Sequence, residues 1–167
     1  MTKFDYFAIA ALVLAIGINS LTVYLHKKYR VYDRFGHNAL TVHSTLISIF
    51  WGGFIATEFL ASKSTWRTAL AYPVLGWLIM AVALTIFILA LRQIGYRALA
   101  NGNFFGQPLR ALGGIYKMVP EPIYVSYSLW YAGIGLVTSL KVFFVLAIVS
   151  LIGLVGLEAW VERPSKG

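Results

Sequence analysis

Residues 113–126, GGIYKMVPEPIYVS, decide how the rest of the chain is read. They join a basic, glycine-broken loop to a short apolar helix, and Pro120-Glu121-Pro122 stands where the chain enters the apolar run. Two prolines fix φ and remove two amide donors, and each disfavours helical backbone in the residue before it. Backbone groups freed beside hydrocarbon must find partners in the protein or in a ligand. A segment that only had to connect two spans gains nothing from this arrangement, so these residues read as part of a site.

Working outward, composition sets the class. At 59% hydrophobic and 12% charged, with a mean hydropathy of +0.76, the chain is excluded from the ordinary soluble domains. It has no cysteine, which removes disulfides, thiolate nucleophiles and cysteine-ligated zinc. His37 and His43 are six residues apart and project to different helix faces, so no metal is expected.

A spanning helix needs about 20 mostly apolar residues. Charge-free runs place candidates at approximately 5–25, 38–60, 69–91, 122–137 and 140–161, with an interfacial loop over 92–121. The expectation is an all-α integral membrane protein: a single transmembrane domain of five helices, residues 1–167, the last two forming a tight hairpin around Thr138-Ser139. The first run is too long and too poorly flanked for a cleaved signal peptide. Alternating faces put Lys27, Lys28, Arg30, Arg34, Arg92, Arg97, Arg110, Lys117, Arg163 and Lys166 on one side, against Lys3, Lys63, Arg67 and Lys141 on the other. That asymmetry predicts the N-terminus outside and the C-terminus in the cytoplasm. The +8 net charge is then mainly cytoplasmic and suits anionic headgroups. Nucleic acid is not an expected partner, since no basic stretch is interleaved with aromatics on a soluble module.

The 92–121 segment is too long for a mere connector. It carries Gly95, Gly102, Gly106, Gly113 and Gly114 with Tyr96, Phe104, Phe105 and Tyr116 between them. Folding the hairpin back at about 1.5 Å per residue sets Ser126 level with Gly153 and Pro122 level with Gly156. Glu158 then falls beside Glu121, with Glu162 one turn further out. Gly153 and Gly156 would leave a slit facing the preceding helix, and three acids converge at its mouth. Gly133 and Gly135 read instead as close helix packing. Several residues have plainer readings. Glu58 reaches the interface from the outer end of its helix, because at mid-bilayer a carboxylate costs about 2.5–3.5 kcal/mol on insertion scales. His43 is a packed polar residue, Gly52-Gly53 marks a close crossing or kink, and Trp66, Tyr72 and Trp160 are interfacial anchors.

The string G-I-Y-K-M-V-P-E-P-I-Y-V-S resembles the Gly-x-Tyr-x-x-Val-Arg-His-Pro-x-Tyr-x-Gly motif of integral-membrane methyltransferases related to isoprenylcysteine carboxyl methyltransferase. Gly114, Tyr116, Val119, Pro122 and Tyr124 match, while Pro120, Glu121 and Ser126 replace Arg, His and Gly. The phosphatidylethanolamine N-methyltransferase branch is more similar. Its Gly-Asp-Tyr-Phe-Gly corresponds to Gly102-Asn103-Phe104-Phe105-Gly106, and its closing Glu-Glu-Pro to Glu162-Arg163-Pro164. Residues 26–36, HKKYRVYDRFG, resemble the basic segment after that branch's early helix. The branch also lacks the Arg-His pair.

The resemblance implies S-adenosylmethionine held between the last two helices and the loop, by Gly102, Gly106, Tyr116, Pro122, Tyr124, Ser126, Gly153, Glu158 and Glu162. It implies methyl transfer to a lipophilic membrane acceptor, with a phospholipid headgroup amine the first choice. Arg97, Arg110 and Lys117 are candidates for the lipid phosphate, and Glu121 or Glu158 for removing the amine proton. Methyl transfer from a sulfonium needs no metal and no covalent nucleophile, only in-line positioning. Other readings remain on the sequence: a non-catalytic lipid-binding or assembly protein on the same scaffold, isoprenylcysteine-type carboxyl methylation, or a membrane reductase. Oligomeric state is not legible.

Overall fold

The chain turns helical at its third residue. Thr2 is extended, its hydroxyl accepts from the Asp5 amide, and the Asp5 carboxylate accepts from the Thr2 amide, which closes a capping box. From there α1 runs Lys3–Tyr29, longer than the 5–25 stretch that charge alone suggests, and stops where Arg30 takes a left-handed conformation. A computed structural model describes residues 1–95 and 113–158. After a 3₁₀ turn, Asp33–Asn38, come α2 (Ala39–Ala61), α3 (Pro73–Ile94), the single turn α4 (Ile115–Met118), α5 (Pro122–Thr138) and α6 (Lys141–Ser150). The chain then continues as a π-helical segment, Leu151–Glu158. The described residues are all-helical apart from turns and one isolated antiparallel bridge, Arg67 with Leu140. Residues 96–112 and 159–167 carry Arg97, Gly102, Gly106, Arg110 and Glu162, which lie outside the described residues.

α3 begins at Pro73 because proline suits a first helical turn and no later one. The residues before it do other work. The Thr68 amide donates to the Ser139 carbonyl at 2.8 Å, Tyr72 to Leu136 at 3.2 Å, and the Arg67 guanidinium to Thr138 at 3.2 Å. The Lys141 amide donates to Trp66 at 2.9 Å. The α2–α3 connection therefore lies over the α5–α6 turn, where Ser139 is left-handed (φ 58°). At the opposite end, the α3 side chain Gln93 donates to the Gly113 carbonyl and ties the chain entering α4 to the end of α3.

α5 is the hub. α1 packs on α2 and α6, while α3 and α6 both pack on α5. Leu12, Ile16, Tyr131, Val142, Phe143 and Leu146 form the buried centre. Tyr131 is fully buried, and its hydroxyl shares a 2.7 Å hydrogen bond with the Thr57 hydroxyl of α2. A buried phenol requires such a partner, and the bond fixes α2 against α5.

α3 approaches α5 through glycine. A Cβ on Gly133 would stand 2.5 Å from Met80 Cγ and 2.9 Å from the Gly76 carbonyl, and one on Gly76 only 2.7 Å from the Gly133 carbonyl. Gly135 faces the Phe144 ring across the hairpin, where a Cβ would stand 3.0 Å from the ring and the ring would have to shift slightly. Of the Gly52-Gly53 pair, Gly52 has no neighbour within 4 Å and α2 continues through it without a break, so no close crossing is made at Gly52; the surroundings of Gly53 lie outside what is described. His43 is a packed polar residue, buried against the Tyr32 ring at 5.1 Å.

Two helices, Lys3–Tyr29 and Pro73–Ile94, are long and apolar enough to cross a membrane, and Lys141–Gly156 is a shorter apolar helix. α3 exposes Val74, Trp77, Leu78, Val82 and Leu84 on its outer surface. Between helices in lipid there is little hydrophobic driving force, so contact quality decides stability. Gly133→Val should accordingly lower the thermal midpoint in detergent, at a cost of about 1–3 kcal/mol for overpacking. Gly17→Ala, where nothing lies within 4 Å, should be neutral or raise it slightly.

Candidate active site

The entrance to α5 is built from residues with little backbone freedom. Gly114 (φ 47°) caps α4, and a Cβ there would press to 3.1 Å on the Gln93 side-chain oxygen. One turn of helix later the chain reaches Glu121, which adopts a left-handed conformation (φ 46°, ψ 60°) immediately before Pro122. For a residue with a Cβ, left-handed backbone costs about 1–2 kcal/mol, and a following proline restricts it further. Strain of this kind persists only where the surroundings impose it. Here the imposing groups are the fully buried Pro122, first residue of α5, and the Val125 amide, which donates to the Glu121 carbonyl at 3.0 Å.

Several residues singled out by sequence follow one another along this entrance. Tyr116 and Glu121 are half-buried on the approach, and Lys117 is exposed. Tyr124 lies half-buried in the first turn of α5, and its carbonyl accepts from Ser128. Ser126 is buried, and its hydroxyl donates to the Ile123 carbonyl at 2.6 Å. The hydroxyl bends back onto its own helix and so does not fill a slit toward α6.

Gly153 is a correction. It was expected to leave a slit facing α5, but a Cβ there would stand 2.8 Å from Ile16 Cδ1, so Gly153 accommodates α1. The physical reason is the change of winding after Ser150. A π-helical turn carries more residues than an α-helical one and shifts the phase of every side chain beyond it, a change that a register drawn on a regular helix does not include. Gly156 meets nothing within 4 Å. Glu158 is the last described residue, and its carboxylate lies outside what is described.

The open space next to Ser126 lies on the other side of α5. A cavity of about 300 Å³ is lined by Ile55 and Glu58 of α2, Ala83, Leu84 and Phe87 of α3, and Ser126, Tyr127 and Trp130 of α5. The Trp130 indole N–H donates to Glu58 Oε1 at 3.1 Å. The Phe87 and Tyr127 rings stand 5.7 Å apart at 52°. Glu58 thus points into the helix packing rather than outward, the direction that its place near the end of α2 suggests. It turns inward to the midpoint of α5, where a tryptophan donor holds it. Glu58, Phe87, Tyr127 and Trp130 are the residues that sequence reading missed as a group. The usable signal was the acid of an otherwise apolar helix, but its partners lie on two other helices.

At the same end as Glu121, the Tyr32 ring is buried between His26 (5.3 Å, edge-on) and His43. Burial raises its phenol above the usual value and keeps it protonated. Among the described residues no group of three or more histidine, cysteine or acidic side chains is placed to hold a metal ion.

The comparisons with known proteins fall on this region. No curated protein and no solved structure matches the chain. A family model described as phospholipid methyltransferase matches residues 71–165, a segment that contains α3, the Gly113–Pro122 entrance, α5 and α6. Such membership implies a methyltransferase acting on phospholipid. With more than half of its length in that match, the chain belongs to the phospholipid methyltransferase family.

Proposed function

We propose that this protein is a multi-pass membrane enzyme that transfers a methyl group from S-adenosylmethionine to a lipid-borne acceptor, the amine of a phospholipid headgroup. The observation that carries the reading is the strained Pro120-Glu121-Pro122 entrance, which lies within the family-matched segment and leads within one helical turn to a cavity. S-adenosylmethionine, when bound, supplies a methyl group on a sulfonium. The residues at the entrance are of the kinds such a group needs: Tyr116 and Tyr124 are half-buried aromatic residues, the type that can pair with a cation, and Glu121 carries a carboxylate that could pair with its ammonium. Gly102, Gly106, Glu158 and Glu162 remain proposed cofactor contacts from the sequence motifs, while Gly153 is withdrawn in favour of its contact with α1.

The acceptor side follows from charge. Lys117 is exposed beside the entrance, and with Arg97 and Arg110 it would hold a lipid phosphate at headgroup height. Glu121 would take the proton from an ammonium acceptor before its nitrogen can act as a nucleophile. Its position between a cationic surface and an apolar interior suits a lipid arriving sideways and a cofactor arriving from water.

Five spans account for the way the ends are arranged. The start of α1, the α2–α3 connection and the α5–α6 turn gather at one end, and the α1–α2 turn, the end of α3 and the start of α5 at the other. Together with the basic asymmetry, this arrangement supports a cytoplasmic position for the entrance. Thr65→Cys and Arg34→Cys, both at exposed positions, should label from opposite faces of sealed vesicles. Labelling of both from one face would overturn the topology.

The activity itself is tested by following radiolabelled methyl from S-adenosylmethionine into extracted phospholipids, with phosphatidylethanolamine and its mono- and dimethyl forms as acceptors. Glu121→Gln should lower turnover by about a hundredfold, as loss of a general base does, while S-adenosylhomocysteine affinity changes little. Absence of label from all three lipids, with cofactor binding intact, would refute the amine assignment. The strain makes a separate prediction on stability. Both Glu121→Gly and Glu121→Ala lose the carboxylate, yet the glycine variant should be more stable by about 1 kcal/mol because only it relaxes the left-handed backbone.

A further inference from the structure

The mechanism above leaves Glu58 without a task. It lies on α2, outside the family-matched residues 71–165. Its carboxylate is half-buried and accepts from the Trp130 indole, a neutral donor, at 3.1 Å. Around it are the rings of Phe87, Tyr127 and Trp130, with Ile55, Ala83 and Leu84 completing an apolar wall and no basic side chain in the lining. Ile55 is 72% exposed and Leu84 49%, so the cavity opens sideways between α2 and α3 toward the protein's apolar exterior. Ser126 belongs to the same lining and stands one turn from Pro122.

These features select a ligand. A carboxylate in apolar surroundings is retained when something pairs with it, and aromatic faces around a negative group attract an organic cation. A hard metal ion needs several oxygen ligands, and this lining offers one carboxylate. A carboxylate-bearing acceptor would be repelled by Glu58. The volume, about 300 Å³, is at the small end of ligand pockets and suits a headgroup rather than a whole lipid.

The geometry points to this cavity as the docking site for the ammonium end of a membrane lipid, with Glu58 as counter-charge and Phe87, Tyr127 and Trp130 as its aromatic wall. The cavity would hold the ammonium before the lipid advances along α5 to Glu121. That this lipid is the methyl acceptor rests on the reading in the preceding subsection, whereas ammonium recognition does not. Glu58 is then a specificity-determining residue. Preference for an amine over an acidic or neutral acceptor is supplied by α2, from outside the residues that the family model matches.

The test uses the full chain in phosphatidylglycerol nanodiscs, titrated with dihexanoyl-phosphatidyl-N,N-dimethylethanolamine and, separately, with dihexanoyl-phosphatidylglycerol. The parent should bind the ammonium lipid about tenfold more tightly than the glycerol lipid. Glu58→Gln, which keeps the shape and an acceptor for Trp130, should abolish that preference and leave S-adenosylhomocysteine affinity unchanged. Trp130→Phe, a second variant that keeps an aromatic ring, should retain part of the preference. An ammonium preference that survives Glu58→Gln, or a parent with none, overturns the inference. If the preference depends on Glu58 but no methyl label reaches any lipid, the docking site stands and the methyltransferase reading fails. If label reaches phospholipid amines while Glu58→Gln changes neither the preference nor KM for the lipid, the methyltransferase reading stands and the docking site fails.

Discussion

The contact between Gly76 and Gly133 governs much of the rest. Where two helices touch backbone to backbone at one point, their side chains must part company further along. α3 and α5 meet at Gly76 and Gly133 near the hairpin-turn end, and by the level of Ala83, Phe87, Ser126 and Trp130 a cavity separates them. A larger residue at either glycine would move the crossing and with it the cavity walls. Tyr131, one residue beyond Trp130, is anchored to Thr57 of α2, so α2 is carried to the same depth and Glu58 arrives beside Trp130. Packing thus assembles a polar group and three rings that are far apart in sequence.

The helices were legible because charge-free runs and proline positions report them directly. Pro73 and Pro122 each open a helix, and Lys141 begins the last. The family was legible too, through the Gly-x-Tyr and Pro-x-Tyr spacing around Glu121. Two things were not. The π-helical winding after Ser150 has no local sequence signature, and it carried Gly153 round to Ile16. The depth of Glu58 depended on how far α2 slides along α5, which the Thr57–Tyr131 bond sets and no periodicity reveals. Gly52 shows the converse: its place in a glycine pair suggests a crossing, yet Gly52 itself meets nothing within 4 Å.

The entrance and the cavity present two kinds of surroundings. Glu121 sits at the start of a helix, between an exposed lysine and buried Pro122, with its conformation held by its neighbours. Glu58 sits among aromatic and aliphatic groups, with its position held by one indole. One acid is placed by backbone geometry and the other by packing, and only Ser126 and one turn of α5 separate the two regions.

The strap of residues 66–72 over the α5–α6 turn also bears on how the protein is made. Its partners, Leu136, Thr138, Ser139 and Lys141, emerge from the ribosome some seventy residues after it. Until α5 and α6 have been synthesised, the amides of Thr68 and Tyr72 lack these carbonyl partners. The strap is therefore set in place only after the hairpin exists, and a chain arrested after α3 would display it open to quality-control proteases.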